Sequence, residues 1–210
     1  MDYLNELIVR YPCLSVCGDS IRAAYRLLEN TYENGGKVLI AGNGGSAADA
    51  DHITGELMKG FVKKRKPPEE FYQALKQITD SKTADDLVSG LQGGLPAFSL
   101  ASHNALITAA VNDINGSIIF AQQIYSTAKK GDAFLGISTS GNSENIYSAM
   151  ITAKALGVKT IALTGVSGGK TARLADVSIR VPETETYRVQ ELHLPVYHCI
   201  CLMLEDKFFD

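Results

Sequence analysis

A histidine and a glutamate stand one helical turn apart in LIAGNGGSAADADHITGE, residues 39–56. If a helix starts near Ser46, His52 and Glu56 share a face. An imidazole beside a carboxylate can move a proton or hold a metal ion. Near the other end of the chain, Gln190-Glu191-Leu192-His193 precedes His198. On an ideal helix Gln190 and His198 are turned by about 80°, so both can lean into one cleft. Between these pairs, Ser138-Thr139-Ser140-Gly141-Asn142-Ser143 gathers four hydroxyls. One hydroxyl is enough to cap a helix, so four point to a bound anion.

The glycine-rich loop itself has three readings. Gly42-Asn43-Gly44-Gly45-Ser46-Ala47 fits the dinucleotide fingerprint G-x-G-x-x-A. That fingerprint needs an acidic residue about 20 positions on to hold a ribose, and the chain there is the basic MKGFVKKRKPP. The segment GVSGGKT, Gly165 to Thr171, imitates a Walker A loop but is one residue short, with Thr164 in place of the first glycine. The third reading is a cradle for a phosphate or sugar without a nucleotide, where backbone N–H groups and a helix N-terminus meet the anion. Two loops of this kind, each at a strand end before a helix, favour it.

Elements must hold these loops in place. Short branched apolar runs at 37–41, 132–138, 158–165 and 177–182 read as strands buried on both faces, with a weaker one at 97–101. Helical stretches alternate with them, which predicts an α/β fold with a parallel sheet. Residues 1–36 read as N-terminal helices, the second capped by Asp19 or Ser20 and ended by Gly35-Gly36. The last helix, from about Tyr187 to Asp206, contains Pro195, which predicts a kink. Residues 62–96 interrupt the alternation and read as an insertion with one or two helices. Its Lys63–Lys66 run reads as a solvated face.

The chain has 210 residues, 45% hydrophobic and 20% charged, with a net charge of −3. That size fits a single domain, 1–210. The charge gives no pull toward nucleic acid or an anionic membrane. No run is long and apolar enough for a membrane span, and the start does not read as a signal peptide, so a cytoplasmic location is expected. Cys13, Cys17, Cys199 and Cys201 form no C-x-x-C pair and read as reduced thiols.

The segments GGKVLIAGNGGSAADADHITGEL, ISTSGNS, LTGVSGGKTARLAD and VQELHLPVYH together resemble the SIS (sugar isomerase) domain, and within it the phosphoheptose isomerases. The resemblance runs in order over nearly the whole chain apart from 62–96. It implies one five-stranded parallel sheet flanked by helices, assembled as a homotetramer with active sites between subunits. It implies a phosphorylated sugar held by Ser138, Thr139, Ser140 and Ser143, with Asn43, Gly44, Gly45, Asn112 and Asp113 also touching substrate. It implies zinc bound by His52, Glu56, Gln190 and His198, with Glu56 as the base and His198 as its partner. Gln190 and Glu56 then touch both substrate and metal.

The chemistry agrees. Aldose–ketose isomerisation through an enediolate needs a carboxylate base, a group that handles the oxygen proton, and something to polarise the carbonyl. The expected reaction is isomerisation of sedoheptulose 7-phosphate or a related ketose phosphate, with the loop anchoring the sugar and the same helix carrying the base. A non-catalytic tetramer that binds a replication-initiator protein or senses a phosphosugar is the alternative. The 62–96 segment is expected to form a lid or rim over the site.

Overall fold

The computed structural model describes residues 2–209. The chain opens with α1 (Tyr3–Arg10), whose first turn is capped by the Asp2 carboxylate accepting from Asn5 N. A 3-10 turn over Pro12–Cys17 feeds directly into α2 (Gly18–Glu33). The expected cap at Asp19 or Ser20 is therefore displaced. Cys17 takes the cap position and Asp19 falls in the first turn, where its charge suits the helix dipole. Gly35, at φ 71°, turns the chain after α2, as its sequence predicts.

β1 (Val38–Ala41) is buried along its whole length. It leads through the glycine loop into α3 (Gly45–Met58). Next come α4 (Glu69–Lys76), α5 (Ser81–Gly90), the short β2 (Ala97–Ser99), α6 (Asn104–Asp113) and α7 (Ile119–Thr127). The chain closes with β3 (Ala133–Ile137), α8 (Glu144–Ala155), β4 (Lys159–Thr164), α9 (Gly169–Leu174), β5 (Val177–Arg180) and α10 (Thr186–Phe208). α10 continues as one helix through Pro195.

The five strands form one parallel sheet in the order β2-β1-β3-β4-β5. Register is set by pairs such as Leu39↔Phe134 and Leu135↔Ile161. Alternate residues face opposite layers. Val38, Ile40, Leu135 and Ile137 join one core with residues of α1, α2, α3 and α10. Leu39, Ala41 and Phe134 join the other, against α6, α7 and α8. The strand order reverses between β1 and β3. Ligands of open parallel sheets bind at such a reversal, beyond the carboxyl ends of the strands. The loops after β1 and β3 are the glycine loop and the serine loop.

The insertion forms two helices, the upper end of the one or two expected, but α4 has no wholly buried residue and α5 only Ala84. Its roots are tied down. Gly93 N donates to Arg65 O, Leu95 N to Leu57 O, and Gly60 N to Gln92 Oε1. The basic run is not one solvated face. Lys64 and Lys66 are exposed, whereas Arg65 is among the largest fully buried side chains.

Candidate active site

The glycine loop is shaped by close approach. A Cβ on Gly42 would lie 2.2 Å from the Ser46 carbonyl oxygen, so no side chain fits. Gly44 sits at φ 57°, in the region that favours glycine. Asn43 and Asn145 exchange reciprocal amide hydrogen bonds, both 2.9 Å, which ties this loop to the start of α8. A Cβ on Gly45 would lie 2.6 Å from Gln190 Nε2, so Gln190 stands against the first turn of α3.

The serine loop turns at Gly141, φ 66°, into the N-terminus of α8 behind Ser143. Ser138 Oγ and Ser143 Oγ are 2.9 Å apart. Ser140 Oγ accepts from Asn142 N. The GVSGGKT segment, discounted as a nucleotide loop, clamps this turn. Thr171 N and Oγ1 both donate to the Gly141 carbonyl, and Lys170 N donates to Asn142 Oδ1. The result is a rigid hydroxyl-bearing loop at a helix N-terminus, suited to an anion.

α3 and α10 run side by side and bring the imidazoles and carboxylate together. His52 Nε2 lies 3.1 Å from Glu56 Oε1, and the His52 and His198 rings meet edge-on at 5.0 Å. Lys59 Nζ lies 3.3 Å from Glu56 Oε2. Glu56 is only 13% exposed at its side chain. His198 Nε2 is buried without a hydrogen-bond partner. Burial, reinforced by nearby His52 and opposed by Glu56, holds the His198 imidazole below its ordinary pKa, which favours its neutral form. A groove of about 420 Å³ opens beside His198, lined in part by Tyr3, Arg10, Tyr11, Phe61 and Leu194.

His193, between the two predicted α10 residues, is a core residue. Burial pushes its pKa down to about 4. The Thr164 backbone pulls the other way, but neither ring nitrogen makes a hydrogen bond of ordinary geometry.

The predicted site residues thus fall into groups. His52, Glu56 and His198 form one. Asn43, Gly44, Gly45, Gln190 and the serines form another at the sheet edge. Gly45 and Glu56 are eleven positions apart on α3, about 16 Å of helix rise, and Gln190 is about 12 Å along α10 from His198. Within one chain Gly45 and Glu56 therefore stand at opposite ends of α3. Asn112 and Asp113 end α6, exposed, with Asn112 Nδ2 donating to Asp113 Oδ1 at 2.8 Å.

Two imidazoles and a carboxylate are a donor set that suits zinc, and the unpaired His198 Nε2 leaves one donor unused. Among the described residues no three His, Cys, Asp or Glu side chains are already grouped to hold a metal ion. His52 Nε2 and Glu56 Oε1 face each other across a hydrogen bond, and an ion would replace the proton between them.

Two neighbours escaped the sequence reading. Tyr197 OH lies 3.0 Å from His52 Nδ1 and donates to Asp49 Oδ1 at 3.2 Å. A signal existed for Asp49, since 49, 52 and 56 share one helical face. Tyr197 had none in an apolar helix.

The SIS domain family profile matches residues 15–87 and 87–165 of this chain. A phosphoheptose isomerase from Aneurinibacillus thermoaerophilus is 40% identical over 85% of this chain and 76% of its own length. The chain belongs to the phosphoheptose isomerase family of SIS-domain proteins. A second relative so named, from Geotalea daltonii, is 39% identical over 90% of this chain and 84% of its own. The structure of a phosphoheptose isomerase from Francisella tularensis superposes with a TM-score of 0.77 at 33% identity, covering 94% of this chain and 91% of that one. The one from Neisseria gonorrhoeae gives 0.75 at 30% identity, covering 96% and 94%. Family membership accounts for the sheet order and for the glycine and serine loops at its switch point.

Proposed function

We propose that this chain is a phosphosugar aldose–ketose isomerase whose substrate is sedoheptulose 7-phosphate. The observation that carries the reading is the meeting of Glu56, His52 and His198 between α3 and α10 in a member of this family. A purely binding protein has no use for a carboxylate and two imidazoles so arranged.

Glu56 takes the proton from the carbon beside the carbonyl and returns it to the neighbouring carbon, through an enediolate. His198, which burial holds in its neutral form, exchanges the proton on oxygen when its Nε2 lone pair is not given to a metal. Ser138, Thr139, Ser140 and Ser143 hold the phosphate at the α8 N-terminus, while Asn43, Gly44, Gly45, Asn112, Asp113 and Gln190 contact the sugar. His52, Glu56 and His198 are the residues that would hold a zinc ion; Gln190, about 12 Å along α10 from His198, would join them only across a subunit interface. When bound, zinc would polarise the substrate carbonyl as a Lewis acid.

The rise of about 16 Å along α3 between Gly45 and Glu56 supports a site completed by a second subunit. The groove beside His198 supplies an apolar face for that subunit. A homotetramer is the assembly we propose, and a monomer by native mass spectrometry would contradict it. No described helix is long and apolar enough to cross a membrane. A phosphorylated-sugar substrate goes with a cytoplasmic enzyme.

The test is to incubate the purified, zinc-supplemented protein with sedoheptulose 7-phosphate and follow aldose formation by NMR. Appearance of the aldoheptose phosphate is expected. A substrate left unchanged, alongside turnover of a different ketose phosphate, would reassign the sugar.

A further inference from the structure

We infer that Asp49 and Tyr197 are positioning residues that fix the tautomer of His52 and so keep its Nε2 available to face Glu56 or an ion between them. The inference deepens the isomerase reading and rests on it only for its catalytic consequence.

The argument follows one hydrogen. Tyr197 is 2% exposed, and its hydroxyl meets two groups, Asp49 Oδ1 at 3.2 Å and His52 Nδ1 at 3.0 Å. Burial raises the Asp49 pKa, and above that pKa its carboxylate only accepts, so the hydroxyl hydrogen goes to Asp49. The hydroxyl oxygen then has only lone pairs to offer His52. Nδ1 must therefore carry a hydrogen and donate it. The lone pair of a neutral His52 is left on Nε2, which points at Glu56 Oε1, 3.1 Å away. Two acceptors in contact need a proton or a cation between them. The pair is thus held open for the species that the site is to handle.

Asp49 has no evident stabilising role. Its Oδ2 is buried without a partner, an arrangement that costs free energy. Tyr197 OH is the one hydrogen-bond partner seen for its Oδ1. Metal-ligating histidines commonly have their second nitrogen fixed in this way, and loss of the fixing group weakens metal binding. Tyr197 also packs its ring edge-on against His52 and His198, at 5.5 and 5.0 Å, so the ring can stay when the hydroxyl goes.

Two variants test this from opposite ends. Tyr197→Phe removes the acceptor for Nδ1–H. Asp49→Ala leaves the hydroxyl free to turn its hydrogen toward Nδ1. Both should move the His52 hydrogen to Nε2, where it binds Glu56. Long-range 1H–15N spectra of the metal-free protein at alkaline pH should show protonated Nδ1 in the wild type and protonated Nε2 in both variants. Zinc affinity should fall by about 10- to 100-fold. The kcat should fall with KM nearly unchanged, and a melting midpoint close to wild type would exclude simple unfolding. The same tautomer in all three proteins, or unchanged zinc affinity, would overturn the inference. If the spectra and zinc affinities change as expected while the wild type isomerises no sugar phosphate, the tautomer device stands and the isomerase reading falls.

Discussion

Arg65 Nε donates to Glu205 Oε1 at 2.9 Å with both side chains sealed from solvent, 0% and 1% exposed. The same guanidinium donates to the carbonyls of Leu57 and Glu56, the last turn of the helix that carries the proposed base. Glu205 in turn accepts from the backbone of Phe61 and Val62. Burial alone would raise the Glu205 pKa, but these two N–H groups and Arg65 outweigh it and hold the carboxyl below its ordinary range. One ion pair therefore fixes the end of α3, the root of the insertion and α10 to one another.

Removing one partner strands the other. Arg65→Met should destabilise the fold by about 3–5 kcal/mol, because Glu205 stays buried without its counter-charge. Arg65→Lys should recover only part, since an ammonium lacks the planar fork that serves Glu205 and two carbonyls together. Urea unfolding measures both. A loss under about 1 kcal/mol for Arg65→Met would contradict a buried ion pair.

The sequence had Arg65 inside a basic run, and nothing local marked it as buried. Its partner is 140 positions away. The strands were legible because burial on both faces leaves unbroken apolar runs, and β1 and β3 fall within a residue of where those runs place them. Of the insertion's helices, α4 was legible from the amphipathic stretch 71–78, whereas α5 had no such marker. Gln190 shows what spacing cannot give. Eight residues on a helix turn by only about 80°, but they also climb two turns. The sequence gives the angle readily and leaves the height to be found in the packing against Gly45.

Asp132 is one of the carboxylates that contribute to the acid sensitivity of the fold. Its carboxylate accepts from Lys37 Nζ at 2.6 Å, Lys37 N at 3.0 Å and Lys129 N at 2.8 Å. Burial disfavours its charge, but these donors outweigh burial and depress its pKa. A depressed carboxylate stabilises above its unfolded pKa, and the contribution is lost as pH falls through the folded value. Asp132→Asn should cost about 1–3 kcal/mol at neutral pH. The gap from wild type should narrow as the pH drops below about 4. A gap that does not change with pH would rule out this linkage.

Ser140→Ala should weaken phosphorylated ketoses and spare unphosphorylated ones. Its hydroxyl stands at the turn before α8, where a phosphate would meet the helix N-terminus. Calorimetric titration with matched sugars, with and without phosphate, measures the difference. Equal weakening of both would assign the loop a different task.

The helical insertion follows the end of α3, where Lys59 pairs with Glu56, and its two helices bury little of their own surface in the core. Replacing residues 67–91 with a Gly-Ser linker keeps Arg65 and Gln92 at its roots. The shortened protein should retain its melting midpoint but change KM and the ranking of ketose phosphates, as a rim over the site would require. Wild-type kinetics on every ketose phosphate tested would show a surface appendage instead.

The central claim is that Glu56 moves a carbon-bound proton. Sedoheptulose 7-phosphate in D2O, watched by 1H NMR, reads that step directly. With the wild type, solvent deuterium should enter at the carbon beside the carbonyl as the aldose forms. With Glu56→Gln, both exchange and isomerisation should slow by about 100-fold or more while the fold stays intact. Exchange at the wild-type rate in Glu56→Gln would contradict the assignment of Glu56 as the base.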